Sequence, residues 1–212
     1  MKYEVHILLG GYETNTYLCW DESSHEALLI DPAAPSIPLW NRIVEKGLKI
    51  KYIINTHGHA DHIGGNDFFK EKSKAPIAIH LLDAEHLNNS TKNLSTMAGM
   101  KLTSPQADII LADGDILKIG ESEMKVIHTP GHTEGGICIY GDGLLFSGDT
   151  LFQEDVGRTD LPGGNNLKLQ HSIQQILFEL PDETIVLPGH GPATTIGEEK
   201  IGNIAFGLIS RL

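Results

Sequence analysis

Apolar residues along this chain come in short runs, each cut off by glycine, proline or a small polar cluster, and only a few stretches carry the spacing of an amphipathic helix. In the first half, residues 5–9, 14–20 and 27–30 read as strands and residues 38–46 as a helix. A strand at Tyr52-Ile53-Ile54 and a helix over 64–72 follow. Asp31-Pro32 and Lys46-Gly47 end elements, and Ala75-Pro76 opens a strand toward His80. The second half shows hairpin-like strands around 109–119, 124–128, 136–140 and 144–147, with Gly141-Asp142-Gly143 as a hairpin turn. A helix over 166–178, a strand before His190 and a terminal helix from 198 complete the expected order. No linker or low-complexity stretch separates the halves, so residues 1–212 are expected to form one α/β domain.

The apolar run ending at Ile54 leads into His57-Gly58-His59-Ala60-Asp61-His62, three imidazoles and a carboxylate in close succession. Imidazole nitrogen and carboxylate oxygen suit zinc and similar first-row cations, and the lack of thiolates points to a catalytic rather than a closed structural site. His57 and His59 project to one side of an extended segment, while Asp61 and His62 turn back toward a neighbouring point, so one loop can feed two ions. Gly58 and the pair Gly64-Gly65 permit the tight backbone. Later segments repeat the form of an apolar run closed by a glycine-flanked His or Asp. They offer His132 after 124–128, Asp149 after 144–147, and His190 after 184–188. A carboxylate at 149, following Leu144-Leu145-Phe146, is costly to bury without a cation beside it.

This series, a His-x-His-x-Asp-His box followed in order by His, Asp and His, resembles the metallo-β-lactamase superfamily. The segment Gly157-Arg158-Thr159-Asp160-Leu161-Pro162-Gly163-Gly164 resembles its glyoxalase II-like, or hydroxyacylglutathione hydrolase-like, branch. The resemblance implies a four-layer αββα sandwich of two mixed β-sheets with helices on the outer faces. It implies two metal ions, zinc before iron or manganese, one held by His57, His59 and His132, the other by Asp61, His62 and His190, with Asp149 bridging them. Open coordination positions between two cations are where a water is deprotonated near neutral pH, so a bridging hydroxide is the expected nucleophile and hydrolysis the expected reaction. Asp61 is the expected catalytic residue, orienting that nucleophile and shuttling its proton.

By resemblance the favoured substrate is a thioester such as S-lactoylglutathione. The glyoxalase II enzymes continue into a helical carboxy-terminal domain that helps bind glutathione, whereas this sequence shows about one helix after His190, which leaves lactones and other esters as alternatives. Persulfide dioxygenases share the fold and the Gly-Arg-Thr-Asp segment. They would use one non-haem iron on His57, His132 and Asp149. Arg158 either meets an anionic substrate or pairs with Asp155 or Asp160 to shape its loop, and the ion pair is the preferred reading.

Charge and termini narrow the setting. A formal net charge of −12 disfavours nucleic acid, and no apolar run approaches membrane-spanning length. Met1-Lys2-Tyr3-Glu4 starts a strand rather than a signal peptide, so a cytoplasmic enzyme acting on a small molecule is expected. Cys19 and Cys138 lie in apolar strands and are expected to be buried, reduced thiols. His6, His25, His80, His86, His128 and His171 receive no metal role, with His128 and His171 the candidates for supporting a ligand. Residues 87–108 read either as a cap over the site or as a surface connection, and Met97 and Met100 as core filler before substrate wall.

Overall fold

A computed structural model describes residues 1–8 and 13–205, so the end of the expected first strand, position 9, lies outside the described residues. In chain order, the first part holds β1 (Lys2–Leu8), β2 (Thr14–Trp20), β3 (Glu26–Ile30), α1 (Ile37–Glu45), β4 (Lys49–Ile54), α2 (Ala60–Ile63), α3 (Asn66–Ser73), β5 (Ile77–His80) and β6 (Ile109–Leu111). The second holds β7 (Ile116–Ile119), β8 (Ser122–His128), β9 (Ile137–Gly141), β10 (Leu144–Gly148), the ribbon β11 (Leu151–Phe152) and β12 (Asp155–Val156), α4 (Asn166–His171), β13 (Ile185–Pro188), β14 (Thr194–Thr195) and α5 (Ile196–Gly202). The α4 helix runs on through a π-helical turn at Ser172–Ile176 and a 3-10 turn at Leu177–Glu179, filling the span expected of one helix.

One sheet has the order β1-β2-β3-β4-β5-β6 and the other β14-β13-β10-β9-β8-β7. Both are mixed: β3 to β6 run parallel beside antiparallel β1 and β2, and β10 pairs parallel with β13 among antiparallel neighbours. Three apolar clusters separate four layers. Tyr17, Cys19, Leu28, Ile30, Ile54, Val126, Ile139 and Phe146 fill the space between the sheets. Leu18, Ala27, Leu29 and Ile53, the alternate residues of the same strands, pack against Leu39 and Ile43 of α1 and Phe69 of α3. Cys138, Leu145 and Val186 meet Leu169, Ile173 and Ile196 on the opposite flank. Successive side chains of a strand point to opposite faces, so strands buried on both faces read as unbroken apolar runs rather than alternating ones. This is the αββα sandwich.

Local chemistry starts the helices where the layers need them. Ser36 Oγ accepts from Leu39 N at 3.2 Å to cap α1, and Thr195 and Glu198 form a reciprocal capping box on α5. The β9–β10 turn has positive φ at Asp142 (52°) and Gly143 (74°), as a two-residue hairpin requires.

Residues 109–119 do not form the expected hairpin. β6 joins the first sheet parallel to β5, whereas β7 belongs to the second. The chain crosses between sheets at 112–115, where Asp115 Oδ2 accepts from Ala112 N at 2.8 Å and Gly114 takes φ +83°. Two short apolar runs flanking a turn look alike whether they pair together or serve different sheets. Residues 87–108 form a connection with one short 3-10 turn at Ser95–Ala98, and its buried Asn93 braces α2 by accepting from Ala60 N at 2.9 Å. Met97 and Met100 are exposed, so neither fills a core gap. Among the described residues, no helix is long and apolar enough to cross a membrane.

Candidate metal centre

The seven residues singled out by the sequence come from four strand ends that the sandwich brings together. The box follows β4: His57 lies in the bend after the strand, and His59, on extended backbone (φ −70°, ψ 150°), precedes the single turn α2, which carries Asp61 and His62 back toward them. His132 follows β8, Asp149 follows β10 and His190 follows β13. The parallel pairing of Gly148 with Pro188 sets Asp149 beside the His190 loop. Approach there is close enough that a Cβ on Gly189 would lie 2.2 Å from Asp149 Oδ1 and 2.8 Å from His62 Cε1.

Two groups of donor atoms result. In the first, His59 Nδ1 lies 3.1 Å from His57 Nε2 and 3.0 Å from His132 Nε2. In the second, Asp61 Oδ2 lies 3.6 Å from His62 Nε2 and 3.3 Å from His190 Nε2. Asp149 stands between them. Its Oδ1 is 3.4 Å from His62 Nε2, and its Oδ2 is 3.5 Å from both His132 Nε2 and His190 Nε2. His57, His59, His62 and His132 are buried, whereas the side chains of Asp61 and His190 keep 17% and 27% of their surface, so the centre opens on their side.

Hydrogen bonds on the far side of the rings show which nitrogen faces inward. The Arg158 carbonyl, 2.8 Å from His132 Nδ1, can only accept, so Nδ1 carries a hydrogen and Nε2 is the nitrogen that faces inward. Asp31 Oδ2 accepts from His62 Nδ1 at 2.9 Å. Thr56 Oγ1 donates to the same Asp31 oxygen at 2.6 Å, which leaves it to accept from His57 Nδ1 at 3.2 Å. One buried carboxylate therefore orients a ring in each group, directly for His62 and through Thr56 for His57. Asp31 also forms a donor cluster with His57 and His62, but its oxygens are taken by these bonds and by Thr56 N at 2.7 Å, so it holds the ring rather than facing a cation.

The charges of these side chains are divided. Burial, reinforced by neighbouring imidazoles, pushes His57 and His59 well below the ordinary histidine value. Burial also opposes charge on His62, but Asp149, Asp61 and Asp31 outweigh it and raise the ring to about 10. Burial likewise resists ionisation of Asp61, yet His62 and His190 hold it well below the usual carboxylate range. His190 is raised, burial being overcome by its hydrogen bond to Asp61 and by Asp149.

The donor set fits divalent cations. Among the described residues, His62 Nε2 and Asp149 Oδ1 are buried polar atoms without a hydrogen-bond partner, a costly condition that a cation between the groups relieves. Each triad, His57-His59-His132 and Asp61-His62-His190, brings its ligand atoms within 4.8 Å of one another. Nitrogen and carboxylate donors with no thiolate suit zinc, iron or manganese. Cys19 and Cys138 are buried free thiols, and burial pushes them up to about 12 and about 11, so neither is an available nucleophile.

Several supporting residues were not visible from the sequence. Asp31 follows the apolar run Ala27-Leu28-Leu29-Ile30, the same form that marked Asp149, and that form was its available signal. Asn15 donates to the carbonyls of Pro188 (3.0 Å) and Gly191 (2.8 Å), and Tyr17 Oη donates to Pro188 O at 2.7 Å, which together pin the His190 loop. Asp83 accepts from backbone near the box and near His132. His128 stacks on His80, ring centroids 4.2 Å apart, and its Nε2 meets the Glu134 carbonyl. His171 lines an outer groove with Lys125 and Ile176 rather than joining the ligand groups. Arg158 pairs bidentately with exposed Asp160, at 2.7 and 2.8 Å.

A model of the metallo-beta-lactamase superfamily matches residues 9–190. The hydroxyacylglutathione hydrolase GloC of Haemophilus influenzae is 35% identical over 205 residues, covering 93% of this chain and 94% of its own. The crystal structure of the B3 metallo-beta-lactamase BLEG-1 superposes with a TM-score of 0.91 at 35% identity, covering 96% of this chain and 99% of that one. The structure of TTHA1623 in a di-iron-bound form gives a TM-score of 0.81 at 35% identity, covering 93% and 97%.

Proposed function

This chain belongs to the metallo-β-lactamase superfamily, and on that premise we propose that it is a two-metal hydrolase of thioesters, S-lactoylglutathione and its relatives foremost. The observation that carries the reading is the Asp149 carboxylate, whose oxygens lie 3.4–3.5 Å from ring nitrogens of both ligand groups. One ion would be held by His57, His59 and His132, the other by Asp61, His62 and His190, with Asp149 shared. Zinc and iron both suit these donors, and a similar chain is known in a di-iron-bound form. Bound ions supply Lewis acidity toward the substrate carbonyl and make water a usable nucleophile near neutral pH.

The chain's own residues do the rest. Asp61, kept ionised by His62 and His190, lies at the open side and receives a 3.3 Å hydrogen bond from Thr14 Oγ1. A carboxylate so placed orients the attacking water and accepts its proton, so Asp61 is the catalytic residue of this proposal. The buried wall of His57, His59 and His62 excludes solvent from the opposite side. Burial of both thiols argues against a covalent cysteine intermediate.

A relative named as a hydroxyacylglutathione hydrolase matches this chain over 93% of its length and 94% of the relative's own, which supports a glutathione thioester as substrate. The charge of −12 supports a small-molecule partner over nucleic acid, and the free cysteines support a cytoplasmic setting. The test is a hydrolysis panel on metal-loaded protein, comparing S-lactoylglutathione, other thioesters, lactones and a β-lactam. Thiol release from S-lactoylglutathione above all other substrates is expected. Turnover confined to lactones or the β-lactam, or oxygen uptake on glutathione persulfide with one iron per chain, would overturn the reading.

A further inference from the structure

The ligand rings differ in how they are held. His57, His62 and His132 each have an anchor behind the ring in Thr56, Asp31 or the Arg158 carbonyl. Among the described residues, the hydrogen bonds of the His59 ring go only to the other two members of its group. Both contacts use the same ring nitrogen, Nδ1, so the placement of His59 rests on its backbone.

That backbone is fixed by Asp83, a fully buried carboxylate in the 3-10 turn Leu81–His86 after β5. Its Oδ2 accepts from Gly58 N, between His57 and His59, at 2.9 Å. Its Oδ1 accepts from Gly135 N, just beyond His132, at 2.7 Å. The approach leaves no room for side chains at either glycine. A Cβ at 135 would lie 2.6 Å from Asp83 Oδ1, and one at 58 would lie 2.3 Å from His86 Cβ. The two loops leave strands of different sheets, so one side chain straps the halves of the sandwich together across the first ligand group. The second group is secured elsewhere, by Asn15 and Tyr17 on the Pro188–Gly191 carbonyls.

We infer that Asp83 is a positioning residue dedicated to the His57-His59-His132 metal site, so that it sets the affinity of that ion and not of the other. The inference rests on the two-metal reading above. Amide for carboxylate at this position leaves one of two buried backbone N–H groups facing another N–H, and loss of such outer contacts weakens metal binding about 10–100-fold.

The experiment is chelator competition with zinc on the full chain. Wild type should show two binding phases, and D83N should weaken one of them about 10–100-fold while leaving the other within roughly twofold. Double variants identify the phase: D83N with H132A should bind no worse than H132A alone, whereas D83N with H190A should bind its remaining ion about 10–100-fold more weakly than H190A alone. D83E, which keeps a carboxylate, should recover part of the loss. Equal weakening of both phases, or of neither, refutes the inference. Wild type that binds no second ion refutes the two-metal reading instead. If D83N does not fold, G135A, which pushes the strap aside from its other end, is read by the same criteria.

Discussion

Raising the pH from 7 to 9 should tighten the second metal site about a hundredfold and scarcely change the first. The cause is the unequal protonation of the buried rings. In the metal-free fold His62 is raised to about 10, because Asp149, Asp61 and Asp31 outweigh the burial that opposes its charge. Its Nε2 is the atom that faces the ion, so the ion must displace a proton. Well below that value, nearly one proton leaves per ion, which makes affinity rise tenfold per pH unit, or ~1.4 kcal/mol. His57 and His59 are held neutral by burial, so the first site has no proton from them to displace above pH 7. The sign for folding follows from the same shift. A histidine raised in the fold stabilises the metal-free chain fully below its unfolded value near 6.5, and that contribution fades as pH climbs through about 10. Chelator competition at successive pH values, with proton release counted by calorimetry in buffers of different ionisation enthalpy, measures both slopes. Two sites of equal slope, or a steeper first site, would refute the division of charge.

Asp61→Asn at saturating metal should lower kcat by about 10²–10⁴, the usual worth of a positioned proton acceptor, as followed by thiol release. Gly189→Ala inserts a methyl 2.2 Å from Asp149 Oδ1; it should lower the Tm by roughly 2–12 °C, corresponding to about 1–3 kcal/mol of overpacking, and weaken both metal phases in chelator titration. Arg158→Ala should leave kcat/KM within about threefold, because the guanidinium is held by an exposed carboxylate and the group that supports His132 is the backbone carbonyl.

The box from His57 to His62 could be read directly because its ligands are close in sequence and because His132, Asp149 and His190 each close an apolar run. Strands buried on both faces made the layers legible for the same reason. What could not be read depends on contacts between distant segments. Asp31, next to Pro32, reads as the end of an element, while its function lies in bonds to Thr56 and His62, 25 and 31 residues away. Asp83 follows His80-Leu81-Leu82 in a turn, and its partners lie on loops of two different sheets. The β6 and β7 runs have the same local pattern, so periodicity carried no record of which sheet each joins. The methionines at 97 and 100 suit a core by residue type, yet the connection around the turn Ser95–Ala98 leaves them exposed.

The central claim is that two ions joined through Asp149 are both needed for thioester hydrolysis. The most direct measurement is S-lactoylglutathione turnover by metal-free protein titrated with zinc, and separately with iron, at protein concentrations well above the dissociation constants. With both ions required, activity should stay low through the first equivalent, rise over the second and level off at two per chain. A plateau at one equivalent, or no turnover at any loading, would contradict it.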